Sequence, residues 1–166
     1  GTAEAGVEAG VGGLFAGRPW VATPDPQTDP ACLAAVRALA ESVGAHWLSC
    51  GAAEHDQAVA LISHLPVLVG AALLQTADRA SAAGTEGLAG LVRALASSGF
   101  AAASRVGGGN PELGTLMARC NREALLVALA AYRQQLGALE QQVRQEDWQG
   151  LRQELDRTQE LRPQFL

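Results

Sequence analysis

The chain has 166 residues, 48% of them apolar and only 4% aromatic, with a formal net charge of −5. That is enough apolar material for a core and too little for a β-sandwich rich in large aromatics, and it excludes a generally disordered chain. The negative balance argues against a nucleic-acid surface, which needs clustered positive charge.

All cationic side chains are Arg, so no amine is available for Schiff-base chemistry. Cys32, Cys50 and Cys120 are widely spaced and make no metal-binding pattern. They read as thiols of a reducing compartment, behaving as small apolar residues. No apolar run reaches the length of a membrane span, and there is no signal-peptide pattern. A soluble cytoplasmic protein is the expectation. The Gly/Ala-rich opening, with Gly1 first, reads as a loop belonging to a longer protein.

Residues 19–23, PWVAT, form a short β-prone run closed by the turn-rich PDPQTDP. Asp29 and Pro30 give a cap and a first-turn proline. The helix they start has an apolar face of Leu33, Val36, Leu39 and Val43 and is closed by Gly44. Residues 46–50, HWLSC, predict a second strand. Strand, helix, strand with tight connections is an α/β unit, here a terminal piece of one.

Beyond Gly51 nothing further reads as a strand. Glu54 to Asp78 predicts one long helix, apolar in its middle and therefore buried all round. Within it lies LISHLPVLVG, where Pro66 deprives the Ile62 carbonyl of a partner and predicts a kink around Ser63–Pro66. Residues 81–86 predict a loop, and LAGLVRALASS a short helix ended by Gly99. Three glycines then precede Asn110-Pro111-Glu112, a cap, first-turn proline and first-turn acid. Helical periodicity continues from there to about Arg144, and a last helix runs from Asp147 to Glu160. The C-terminal helices carry an apolar stripe broad enough for homodimerisation. An intramolecular hairpin is the competing reading.

Chemistry concentrates at three places. Ser63 and His64 are polar inside a greasy helix, either turned toward a ligand at the kink or satisfied by backbone carbonyls. Arg105 stands beside the glycine run, where its fork suits a carboxylate and the glycines allow close backbone approach; a plain connector with an exposed Arg is the alternative. Thr2 lies in the Gly-rich opening. The glycine run lacks the Lys and Ser/Thr of a phosphate loop.

Three strings occur in order: Gly1-Thr2 with LFAGRPWVATP (14–24), EHDQAVALISHLP (54–66), and SSGF (97–100) followed by SRVGGGNPELGTLMARCNREALL (104–126). Together they resemble the prephenate/arogenate dehydrogenases of tyrosine biosynthesis, the cyanobacterial arogenate dehydrogenases most of all. The resemblance covers essentially the whole chain. It implies a mainly α fold: residues 1–52 as the last strand–helix–strand piece of a Rossmann-like NAD(P)-binding domain, and 53–166 as an all-helical substrate and dimerisation domain. It implies substrate-binding roles for Thr2, Ser63, His64 and Arg105, the last as the carboxylate-binding arginine. The family's catalytic histidine and dinucleotide loop would lie upstream of Gly1, so this stretch alone would be inactive.

The implied reaction is oxidative decarboxylation of arogenate or prephenate with NADP or NAD, NADP being favoured, with no metal. The implied partner is a second copy of the chain, with no nucleic acid and no membrane. Ala3 and Val67 stand where prephenate-preferring relatives often have Glu and His, which favours arogenate. Ala101–Ala103 replace a stretch where many relatives have a basic residue and an Asp. A non-catalytic helical dimerisation module is the alternative, separated from the enzyme by what sequence lies upstream.

Overall fold

The computed structural model describes residues 6–165. The chain is mainly helical, with one two-stranded parallel sheet, as the sequence predicts. It divides into two compact units, Gly1–Val59 and Ala60–Leu166.

In the first unit, β1 (Pro19–Ala22) and β2 (His46–Ser49) pair in parallel, with Trp20 opposite Trp47 and Val21 opposite Leu48. The crossover is α1 (Pro30–Ser42), started as predicted by the Asp29 carboxylate, which accepts from the Ala31 amide at 2.8 Å. Gly44 has a φ of 77° and turns the chain out of α1 into β2. The apolar face expected for α1 is real but mostly uncovered: Ala40 is buried, whereas Val36, Leu39 and Val43 are exposed. A parallel pair normally has layers on both faces, and two strands and one helix are too few to supply them. The unit ends with α2 (Ala52–Val59).

The second unit opens with a π-helical turn, Ala60–His64, and continues into α3 (Leu65–Ala82) with Pro66 in its first turn. The predicted bend is therefore a widened turn, located where Pro66 leaves the Ile62 carbonyl without its usual donor. Two expectations for this helix are corrected. It is not buried all round, since Leu61, Ile62 and Leu73 are exposed. The helical stretch Ala52–Ala82 is also long and apolar enough, by length and composition, to cross a membrane: its best window has mean hydropathy 1.9, and 11% of that window is buried. Averaging hydropathy over a window absorbs the Ser63–His64 pair that interrupts the run.

Next come α4 (Leu88–Leu95) and α5 (Ser98–Ser104). Gly99 is inside α5 rather than at the end of a helix, because the break falls earlier, at extended Ala96 and Ser97. Both helices pack on α3, and Arg93 of α4 reaches Asp78 of α3 at 2.9 Å.

The helical run expected from Asn110 to Arg144 is two helices, α6 (Pro111–Cys120) and α7 (Arg122–Arg144), separated at Asn121. Gly137 is tolerated within α7, as expected. At its end Glu146 has a φ of 56°, and Asp147 caps α8 (Trp148–Leu161) through the Gly150 amide at 2.9 Å. Among the described residues of this unit the buried apolar side chains are Ala60, Leu125 and Ala128, where α7 packs against the π turn and α3. The three cysteines are free. Cys32 and Cys120 are exposed, so they are not core fillers.

Candidate functional site

Of the four residues singled out in the sequence, Thr2 lies outside the described residues. The other three belong to two segments of the second unit.

Ser63 and His64 close the π turn, Ser63 exposed and His64 half-buried. A π turn widens the helix and re-aims the side chains on it, and such turns are frequent at functional sites. This one packs against both α6 and α7. Among the described residues the His64 ring bonds to no backbone carbonyl; its Nδ1 lies 3.3 Å from the side-chain amide Nδ2 of Asn121.

Asn121 is the residue that sequence reading missed. It occupies the break between α6 and α7, with φ −120° and ψ 42°. Its available signal was positional. Asn is a poor interior helix residue and a good cap, and here it precedes an acid in a first turn, Glu123.

Arg105 follows α5 directly and is exposed. It enters none of the ion pairs among the described residues. Its loop is firmly built. Ser104 is buried, its hydroxyl donates to the Phe100 carbonyl at 2.7 Å, and its own carbonyl accepts from Gly107 and Gly108. Asn110 then caps α6 through the amides of Glu112 and Leu113, at 2.9 and 3.2 Å.

Between these anchors the loop crosses α3 backbone to backbone, Gly107 on Gly70, with no room for a Cβ on either. The crossing is six residues along the helix from His64 and two from Arg105. Among the described residues the exposed guanidinium enters no ion pair, and its loop is fixed to the helix that continues from Ser63 and His64. That arrangement suits recognition of a carboxylate.

A separate apolar cavity of about 490 Å³ lies between α3, α4 and α5, with Leu74, Val92 and Phe100 among its walls. None of Ser63, His64, Arg105 or Asn121 lines it. Among the described residues no group of three His, Cys, Asp or Glu could hold a metal ion. The β1–α1 connection also does not fit a dinucleotide pyrophosphate. The β1–α1 connection, residues 23–29, contains two prolines, two aspartates and no glycine, whereas such a site needs glycines and unhindered amides at the helix start.

Residues 51–157 match the family described as prephenate dehydrogenase, dimerization domain. The chain belongs to this family. Its fold is that of the Synechocystis arogenate dehydrogenase, 46% identical with a TM-score of 0.89, the match covering all of this chain and 59% of that one. Prephenate dehydrogenase from Aquifex aeolicus, solved in complex with hydroxyphenyl propionate and NAD+, is 25% identical with a TM-score of 0.90, covering all of this chain and 56% of that one. The Bacillus subtilis prephenate dehydrogenase is 26% identical over 151 residues, 91% of this chain and 39% of its own length. The chain therefore spans well under two thirds of the relatives it matches, and corresponds to the portion that contains the dimerization domain.

Proposed function

We propose that this chain forms the substrate-binding and dimerising part of an arogenate dehydrogenase, an enzyme that oxidatively decarboxylates arogenate to tyrosine with NADP, or with NAD, as hydride acceptor. The observation that carries the reading is the pairing of two devices in one unit. Ser63 and His64 occupy a π turn braced by Asn121, and Arg105 is presented without an internal carboxylate on a loop locked to the same helix.

Each residue has work that its chemistry suits. Arg105 binds a substrate carboxylate through charge-assisted hydrogen bonds. Ser63 and His64 supply uncharged donors and acceptors around the ring, and Thr2 contributes a hydroxyl. The base that takes the substrate hydroxyl proton and the dinucleotide site belong, on this reading, to sequence preceding Gly1. The substrate leans toward arogenate rather than prephenate because of the 46% identity to an arogenate dehydrogenase, together with Ala3 and Val67.

The apolar side chains left uncovered on the helices support homodimerisation. Ile62, Leu126, Val127, Leu136 and Val143 are all exposed in the single chain, and patches of this kind mark interaction surfaces. We assign the uncovered face of the Ala52–Ala82 stretch to that role as well, in a cytoplasmic enzyme, rather than to a bilayer.

The test is a kinetic assay of the complete dehydrogenase containing this chain, with arogenate and prephenate each paired with NADP and NAD. Turnover of arogenate with a higher kcat/KM than prephenate is expected. Turnover of neither substrate would refute the reading and leave a non-catalytic dimerisation module.

A further inference from the structure

We infer that Asn121 is a positioning residue that holds His64 as a hydrogen-bond donor through Nε2. The inference takes the ligand from the proposed function and adds to it the proton arrangement of the ring.

A side-chain amide nitrogen can only donate. With Nδ2 of Asn121 placed 3.3 Å from Nδ1 of His64, the ring nitrogen must accept, and a neutral imidazole then carries its single proton on Nε2. The tautomer is assigned from this geometry. Among the described residues the ring makes no other hydrogen bond. Nε2–H is therefore left to face a ligand as a donor, complementary to a carboxylate, carbonyl or hydroxyl oxygen. A ring held in the opposite tautomer would present a lone pair to a carboxylate or carbonyl oxygen and repel it.

The amide is well placed to enforce this choice because its backbone is fixed on both sides. The Asn121 N–H donates to the Met117 carbonyl at 3.1 Å, closing α6. Its carbonyl accepts from the Leu125 amide at 3.1 Å, opening α7. Leu125 is 3% exposed and fixes that first turn in the core. The π turn packs on both helices, so the bond joins two elements already in contact. The break in an otherwise continuous helical pattern coincides with a residue whose side chain reaches His64.

Substituting Asn121→Asp reverses the logic. A carboxylate accepts only, so the neutral ring moves its proton to Nδ1 and presents an acceptor at Nε2. The experiment is nitrogen NMR of histidine-labelled complete dehydrogenase at alkaline pH, with steady-state kinetics and melting temperature for the wild type, Asn121→Asp and Asn121→Ala.

The wild type is expected to show a protonated Nε2 and an unprotonated Nδ1 at His64, with the pattern inverted in Asn121→Asp. KM for the ring substrate should rise about tenfold in both variants, the equivalent of one hydrogen bond, with kcat changed far less. A wild-type ring protonated on Nδ1 overturns the inference even if neither variant folds, as does an unchanged tautomer in a folded Asn121→Asp. The inferred tautomer in a protein that turns over neither substrate would sink the proposed function and leave the role of Asn121 standing.

Discussion

Gly107 lies with its backbone directly on Gly70: a Cβ built on Gly107 would come within 2.1 Å of the Ala71 amide nitrogen and of the Gly70 carbonyl carbon. Those atoms are main chain within α3 and cannot swing aside, so the helix or the loop must move. Gly107→Ala should therefore cost about 1–3 kcal/mol or more, as overpacking does. Gly108 makes a control within the same run, because its Cβ would meet the Leu74 side chain at 3.6 Å and the Arg105 carbonyl oxygen at 4.0 Å, both ordinary contacts. Gly108→Ala should be neutral or slightly stabilising. Thermal denaturation of the two variants checks this, and equal losses would show that the loop is merely flexible.

Arg105 is exposed and enters no ion pair among the described residues, so stability should not depend on it. Arg105→Ala should leave the melting temperature of the complete enzyme unchanged, since exposed substitutions usually stay within about 0.5 kcal/mol. Its KM for the carboxylated ring should rise between about tenfold and a hundredfold, matching the loss of a charge-assisted bond of about 1.5–3 kcal/mol. Arg105→Lys should recover only part of this, because the ammonium lacks the planar fork. Steady-state kinetics with all three proteins gives the answer.

Val127 is 72% exposed on α7, one residue from buried Ala128. A carboxylate there costs the single chain little. Within an apolar interface it would be a desolvated, unpaired charge, costing several kcal/mol. Val127→Glu should weaken self-association about a hundredfold or more, with helical content preserved. Analytical ultracentrifugation over a concentration series measures the shift toward monomer, and an unchanged association constant would place the interface elsewhere.

Much of this fold was legible because local chemistry marks helix ends so strongly. Asp29-Pro30, Asn110-Pro111 and Asp147 each begin a helix where the sequence said one would begin; Asp29 and Asn110 make the capping bonds expected of them, and Asp147 makes one as well. What local chemistry could not show depends on partners distant in sequence. The Asn121 side chain meets a ring 57 positions away, and interrupting a helix at one Asn hardly disturbs the apolar period on either side. The seat of Gly107 was hidden in the same way, because nothing in GGGN reveals that α3 passes beneath it.

The extent of burial was illegible for a similar reason. Leu39 and Ile62 have the spacing of core residues yet are exposed, since periodicity reports an apolar face and not what covers it. The π turn lies between these cases. Pro66 announced a disturbance at the right place, but a missing donor alone does not distinguish a kink from a widened turn.

His64 offers the most direct test of whether the widened turn serves a ligand or only the fold. The measurement is KM for arogenate and melting temperature, taken together, for His64→Ala in the complete dehydrogenase. A ligand-facing ring predicts KM raised about fivefold to tenfold, the loss of one hydrogen bond, with melting essentially unchanged. A large fall in melting temperature, with unaltered affinity in the protein that remains folded, would contradict the account and make the imidazole a structural residue.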